Sequence, residues 1–421
     1  MNHDLLKSVI YDQHEIIRDK DIVIRDTELD IAGNFIIVGM RRAGKSTLLY
    51  SQVQKLVSEG VDWNQILYIN FEDERLAEFT SADFNDILII QGELSTDNGY
   101  FFFDEIQNID GWEKFARRMA DADRNICITG SNAKMLSRDM EKVLGGRYIS
   151  KLIYPYNFGE YLRACGVGYT DKDMHTSRKQ GMIRSKCQEY LHYGGLPETL
   201  RYKDKREYIS SVYNKILLGD IIVRNGIRNE NIIKVLIKKI AETVTDDISY
   251  SKLYGIMKAV GFSVSKDTII DYICYAKDSY LMFDTHNFYM RFADRESNPR
   301  YYFTDNGVLS LFIRDRDSSL LENAVATYLH ANYGDEVYYL KDVKKGIDVD
   351  FYVPESNQLI QAAYEINEGD INREISSLAK ASKSIRNVER YMVVTMEQEF
   401  DIDESNIHIE VVPLYKFLLG N

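Results

Sequence analysis

The sequence predicts an α/β chain: a parallel-sheet core that holds a phosphate loop, a helical lid, a winged helix-turn-helix and a smaller C-terminal α/β domain. Three observations carry this. Short apolar strands alternate with amphipathic helices through the first third of the chain. The first of those strands runs directly into a glycine-bracketed phosphate-loop pattern. Beyond about residue 229 the pattern becomes three helices and a short hairpin, and then returns to mixed strands and helices.

The elements follow in order. Strands are expected at 35–38, 66–71, 100–104, 126–129 and 148–153, with helices at 45–56 and 112–122 between them. Such alternation favours a parallel sheet covered on both faces. Residues 156–228 read as helical, broken by GGLP from Gly194 to Pro197. Helices at 231–244, 250–260 and 266–277, with strands near 280–283 and 300–303, give the winged-helix order. The remainder reads helix 320–333, strands 337–340, 347–353 and 359–365, helix 370–384, strands 390–395 and 407–413, and a last helix. The expected divisions are therefore 1–155, 156–228, 229–303 and 304–421. A length of 421 residues suits about three domains at ~150 residues each.

Composition narrows the function classes. Hydrophobic residues at 45% and charged residues at 28% are ordinary for a globular chain, and 5 Pro with 25 Gly exclude a disordered or collagen-like one. No apolar run approaches the ~18 residues of a membrane span, and the charged N-terminus shows no secretory core. The four cysteines are scattered with no CxxC pair, which fits a reducing cytoplasm. With 52 basic against 65 acidic side chains, the net charge of -13 argues against a general nucleic-acid coat protein. A local basic groove is compatible with that total. The 30 tyrosines suit interfaces and base stacking, though most of the aromatic residues are expected to be core and helix-packing residues.

The chemistry concentrates in the first domain. Residues 39–46, GMRRAGKS, fit the phosphate-loop pattern, between the strand FIIV and a helix. Backbone N–H groups of Gly39, Arg41, Arg42, Ala43, Gly44 and Thr47 would converge on phosphates at a helix N-terminus. Lys45 would reach the β- and γ-phosphates of ATP, and the Ser46 hydroxyl would ligate Mg²⁺. YFFFDE at 100–105 is an apolar strand ending in two carboxylates. Asp104 is expected to hold Mg²⁺ and Glu105 to act as general base toward water. In CITGSNAKML, Ser131 and Asn132 end a strand, where they either contact the γ-phosphate or cap the next helix. Asp73 has the same two readings, metal site or solvated turn. Arg147, in VLGGRY, is the expected arginine finger, with Arg138 second; a surface ion pair is the alternative for either.

The succession GMRRAGKSTLL, YINFEDERL, FFFDEIQNIDGWEKF, ITGSNAKMLS, LGGRYISKLIYPYNFGEYL and GGLPE resembles an AAA-type P-loop ATPase family of bacteria and archaea. The resemblance spans nearly the whole chain. It implies an AAA-type core, a helical and winged-helix middle, and a C-terminal domain similar to a restriction endonuclease.

The αβββαβ order from Leu320 onward matches that endonuclease-like core, PD-(D/E)xK. Glu322 fits its helix acid and Asp350 its strand acid, with Asp348 two residues away on the same face. Gln361 stands where a second strand acid belongs, and Ala363 where the lysine belongs. An amide is a poor Mg²⁺ ligand and alanine cannot assist a water, so this site reads as degenerate. Glu322 and Asp350 are then expected to survive only as helix and turn residues, and Lys380 or Lys383 is an unfavoured substitute for the lysine.

The leading expectation is an ATP-binding and ATP-hydrolysing, Mg²⁺-dependent enzyme whose cycle moves its other domains in a DNA transaction. An ATP-switched protein-interaction module, with a protein partner, is the alternative, and an ATP-dependent nuclease comes last. A homo-oligomer is compatible with both leading readings. A contiguous groove from Lys341, Lys344, Lys345, Lys380, Lys383 and Arg386 would favour DNA, in single-stranded, duplex or branched form.

Overall fold

A computed structural model describes residues 2–30, 33–132, 135, 142–170, 172–173 and 176–420. These residues form two units: Met1–Tyr154 with Asp278–Tyr280, and Pro155–Lys277 with Leu281–Asn421.

The first unit opens with a helix the sequence reading did not anticipate, α1 (His3–Arg18). It continues β1 (Phe35–Val38), α2 (Lys45–Ser58), β2 (Ile66–Asn70), α3 (Phe84–Leu94), β3 (Tyr100–Asp104), α4 (Trp112–Asp121), β4 (Asn125–Gly130) and β5 (Ile149–Leu152). The five expected strands form one parallel sheet in the order β2-β3-β4-β1-β5. Alternation along each strand divides the apolar side chains between its faces. Ile36, Val38, Leu67, Ile69, Phe101 and Phe103 pack toward α1, α3 and α4. Phe35, Ile37, Ile66, Tyr68 and Phe102 pack toward the α2 residues Leu48, Val53 and Leu56. Both faces are thus covered, and the strand C-terminal ends are left to carry function.

The second unit contains α5 (Phe158–Ala164), α6 (Ser177–Tyr193), α7 (Lys205–Lys215), α8 (Glu230–Glu242), α9 (Tyr250–Ala259), α10 (Lys266–Asp278), β6 (Met282–Asn287) and β7 (Arg300–Phe303). The three helices and hairpin of the winged-helix pattern are present in that order, and β6 pairs antiparallel with β7. There follow α11 (Asn306–Ser310), α12 (Asp317–Tyr333), β8 (Tyr338–Asp342), β9 (Ile347–Val353), β10 (Gln358–Ala362), α13 (Glu368–Ser382), β11 (Arg390–Thr395), β12 (Phe400–Glu404), β13 (Ile407–Pro413) and α14 (Leu414–Leu418).

One feature departs from the expected division at 303/304. The hairpin is not an isolated wing: β6 also pairs in parallel with β8, at His286–Tyr338 and Asn287–Tyr339. The result is one eight-stranded sheet in the order β12-β13-β11-β10-β9-β8-β6-β7. Strand β12, FDIDE, was missed. It is an edge strand with mostly exposed side chains, so it lacks the apolar alternation that marks a half-buried strand.

The GGLP break also has a physical cause. Asp305 caps α11 and is itself buried, accepting from the backbone N–H of Val308 at 3.1 Å and of Gly195 at 2.8 Å. A Cβ on Gly195 would lie 2.1 Å from the Tyr156 carbonyl oxygen. The glycines permit this approach of three chain segments. Among the described residues no helix is long and apolar enough to cross a membrane.

Candidate functional site

The phosphate loop leaves β1 and enters α2 as the pattern demands. Gly39 has φ 147°, and a Cβ there would meet the Ile153 carbonyl oxygen at 2.2 Å, so only glycine fits. Arg42 and Gly44 are also left-handed, at φ 67° and 97°. The loop is braced by Arg25, a residue the sequence reading passed over. Its buried guanidinium donates to the Ala43 carbonyl at 2.9 Å and to the Tyr154 carbonyl at 2.8 Å. Arg25 lies outside every motif, in a segment without regular secondary structure, so no pattern pointed to it.

Lys45 is buried, and its Nζ donates to the carbonyls of Gly39 at 3.0 Å and Met40 at 3.2 Å. The same Nζ lies 3.9 Å from the Glu105 carboxylate. Sheet order brings these residues together: β4 separates β1 from β3, and all three strands end on one side. Ser46 and Thr47 follow Lys45 in the first turn of α2, both partly buried.

The acid pair at the end of β3 is held firmly. The Tyr68 hydroxyl donates to Asp104 Oδ2 at 2.8 Å, and the Thr129 hydroxyl donates to Asp104 Oδ1. Thr129 Oγ1 in turn accepts from the Glu105 N–H at 2.9 Å. Glu105 sits at φ 53°, a left-handed conformation uncommon outside glycine. The Gln107 amide donates to its carboxylate. Burial raises the Glu105 carboxyl above the usual range, Lys45 opposes that, and the neighbouring Asp104 adds to it. No motif marks Gln107, which lies two residues beyond the acid pair.

Ser131 ends up at the same sheet edge, 1% exposed, and its hydroxyl has no hydrogen-bond partner among the described residues. A buried polar atom left unpaired costs stability unless a ligand or water completes it. Its position on the C-terminal side of β4 fits a nucleotide. The donor set also fits magnesium: a hydroxyl and a carboxylate are hard oxygen ligands. No group of three or more His, Cys, Asp or Glu side chains able to hold a metal exists among the described residues, so the ion would need oxygens from bound phosphates.

The remaining expectations divide. Asn132 follows Ser131, and its carbonyl accepts from the Met135 N–H at 3.1 Å. Arg41 pairs with Glu72 at 3.1 Å, while the Arg42 side chain is exposed. Asp73 caps a short turn and binds Arg75, whose hydrogen bonds hold its carboxyl below the usual range. Arg147 pairs with Asp121 at the end of α4. Arg138 lies outside the described residues.

In the second unit the residues of the degenerate nuclease pattern converge, but around a cation of the protein's own. Arg300, fully buried on β7, donates to Asp350 at 3.1 Å and Asp348 at 2.7 Å, and lies 3.9 Å from Glu322. The Tyr302 hydroxyl donates to Glu322 at 2.8 Å. Asp350 accepts from the Ala362 N–H at 3.0 Å, and its own N–H donates to Gln361 at 3.3 Å. Ala363 joins the apolar cluster beneath the sheet. The expectation that Glu322 and Asp350 persist only as helix and turn residues is therefore corrected: they are the buried counter-ions of Arg300. A guanidinium already in place leaves this pocket unsuited to a metal cation.

The lysines expected to form a groove are partly engaged. Lys341 pairs with Asp247, Lys345 with Asp342 at 3.5 Å, and Lys380 reaches the Gly346 carbonyl at 3.4 Å. Lys344, Lys383 and Arg386 are exposed.

Comparison with known proteins agrees with the core. Residues 33–162 match the AAA domain family, and residues 184–319 match a domain of unknown function (DUF8612). The core is thus a P-loop AAA domain. The uncharacterized protein MJ1544 of Methanocaldococcus jannaschii is 31% identical over 429 aligned residues, covering 99% of this chain and 95% of that one. An uncharacterized protein of Haemophilus influenzae is 29% identical over 344 residues, covering 79% and 83%. Among solved structures, the Walker-type ATPase PABY2304 of Pyrococcus abyssi aligns at TM-score 0.43 and 14% identity, over 70% of this chain and 99% of that one.

Proposed function

The chain belongs to the same family as Methanocaldococcus jannaschii MJ1544, and from that premise we propose that it binds and hydrolyses ATP at the phosphate loop. The observation that carries this reading is the meeting of Lys45 and Glu105 at 3.9 Å. It brings a lysine suited to binding phosphate and a buried carboxylate suited to base catalysis to one sheet edge.

Lys45 exchanges its bonds to the Gly39 and Met40 carbonyls for oxygens of the β- and γ-phosphates. Backbone N–H groups of residues 39–47 and the start of α2 complete the cradle. Ser46 and Asp104 would hold magnesium, which when bound neutralises charge on those phosphates. Glu105 accepts the proton of the attacking water, and Gln107 fixes the direction of its carboxylate. The Ser131 hydroxyl, with Asn132 beside it, contacts the γ-phosphate or that water. Arg41 and Arg42 lie within the loop and add positive charge. Arg147 leaves Asp121 to act as a finger, within the chain or toward a neighbouring copy in a homo-oligomer.

The output we propose is a DNA transaction coupled to domain movement. It is supported by the helix–helix–helix–hairpin order and by a C-terminal αβββαβ order of endonuclease type, whose acid positions now bind Arg300. A second reading, an ATP-switched protein-interaction module, is favoured by the pairing of Lys341 and Lys345 with aspartates. Nuclease chemistry is the least supported, for the reason Arg300 gives.

The test is ATP turnover by the purified chain, alone and with single-stranded, duplex or branched DNA. Lys45→Ala is expected to abolish nucleotide binding and turnover. Turnover that persists unchanged in Lys45→Ala refutes the assignment. Salt-sensitive stimulation by one DNA form supports the first output, and indifference to every form supports the second.

A further inference from the structure

A second region of the second unit has the makings of an anion site. A cleft of about 540 Å³ is bounded by the end of α6, the start of α7 and the segment leading into α12. It lies within the size range of small-molecule sites, roughly 300–1,000 Å³. Three arginines line it: Arg206 from α7, and Arg314 and Arg316 from the segment before α12.

None of the three pairs with a carboxylate among the described residues. Arg206 donates to the Ser310 and Leu311 carbonyls at 3.1 and 3.2 Å, and Arg316 to the Glu242 carbonyl at 2.9 Å. Neutral carbonyls fix a guanidinium in space without cancelling its charge. Arg314 is exposed and makes no hydrogen bond or ion pair among the described residues. In a chain with 65 acidic against 52 basic side chains, carboxylate partners are abundant. Three guanidiniums without an ion pair among the described residues in one cleft run against that balance.

Two aspartates line the same cleft, and one of them is otherwise engaged. Asp317 lies 3.9 Å from His192. Asp315 stands at φ 53° and pairs with no cation among the described residues. Neither is within ion-pair distance of an arginine among the described residues, and three guanidiniums against two carboxylates leave the lining net positive. The 17-residue helix α12 begins here with Arg316 as its N-cap and no side-chain cap, so its first N–H groups and its positive dipole end add to the field. Tyr193, 37% exposed, supplies an aromatic wall.

We propose that this cleft is a second anion site that binds phosphate groups, separate from the phosphate loop. Planar guanidiniums suit phosphate oxygens because the forked donors match their geometry. The phosphates belong either to a free nucleotide-sized ligand or to a nucleic-acid strand; the chemistry is common to both, and the probes separate them.

The experiment uses the full-length chain carrying Lys45→Ala, so that binding at the loop is silenced. Pyrophosphate and ADP are titrated by calorimetry, and a labelled 20-nucleotide single strand by anisotropy, each across a salt series. Arg314→Glu is the principal variant, since Arg314 makes no internal bond that folding would lose. Lys114→Glu, exposed on α4 and outside the cleft lining, controls for general charge. The expected result is binding that Arg314→Glu weakens at least about tenfold, with the salt slope for the strand falling by about one or more, and that Lys114→Glu barely changes. Saturation by ADP or pyrophosphate at one per chain identifies a free ligand; binding confined to the strand identifies nucleic acid. The proposal is overturned if no probe binds, if Arg314→Glu leaves every affinity unchanged, or if Lys114→Glu weakens binding equally.

Discussion

Arg300 on β7 and Asp350 on β9 meet at 3.1 Å, both buried. The contact ties the hairpin strand to the middle of the C-terminal strands. Burial raises both the Asp350 and Glu322 carboxyls, and Arg300 pulls each back toward ionisation. Arg300→Met therefore leaves buried carboxylates without their counter-ion and is expected to cost about 3–5 kcal/mol. The loss has a pH signature. Without Arg300 the folded-state carboxyls rise further above their unfolded values, so the deficit is smallest in acid and grows as pH rises through the folded range. Urea midpoints of variant and parent at pH 5 and pH 8 measure it; an equal deficit at both removes the ionic account.

Glu105→Gln is expected to keep ATP affinity and lower kcat by about 10²-fold or more. In the parent the acidic limb of kcat is expected above the ordinary carboxylate range, because burial raises Glu105. The Gln107 hydrogen bond favours the ionised form. Gln107→Ala should move that limb to higher pH, and a profile that does not shift removes Gln107 from its positioning role.

Gly195→Ala and Gly181→Ala should act with opposite signs. A Cβ at 195 meets the Tyr156 carbonyl oxygen at 2.1 Å, whereas one at 181, inside α6, meets nothing within 4 Å. The first should lower stability by more than about 1 kcal/mol. The second should raise it by roughly 0.5–1 kcal/mol through the helix preference of alanine. Thermal melts of the two variants decide this, and equal shifts contradict the packing explanation.

Asp305 should impose its own pH dependence. Burial pushes its carboxyl up to about 6 against backbone N–H bonds that favour ionisation. Its folded value lies above the unfolded one near 3.8. Its contribution is thus fully present below about pH 4 and lost as pH rises through 6. Asp305→Asn should flatten stability across that window, and an unchanged slope from pH 4 to 7 would sink the assignment.

Much of the first unit was legible in the residues because its signals are local. A strand, a glycine loop and a helix in succession leave little choice, and β1, β3 and the loop stand where expected. The supports were not legible. Arg25 reaches the loop from 18 positions upstream of Ala43, and Tyr68 reaches Asp104 from a neighbouring strand. Neither spacing belongs to a motif. Arg300 was hidden for another reason: the hairpin and the C-terminal domain were read as separate bodies, so no residue of one was weighed as the counter-ion of the other. The β6–β8 pairing that joins them is long-range and leaves no periodicity to read.

The strand order of the large sheet also bears on how it assembles. β13 inserts between β11 and β12, although it follows both in sequence. Until β13 docks, β11 is paired only with β10 and its other edge is open, an invitation to intermolecular pairing. Loss of β13 alone would thus expose an inner strand that carries two adjacent valines, and would promote aggregation rather than merely shorten the sheet.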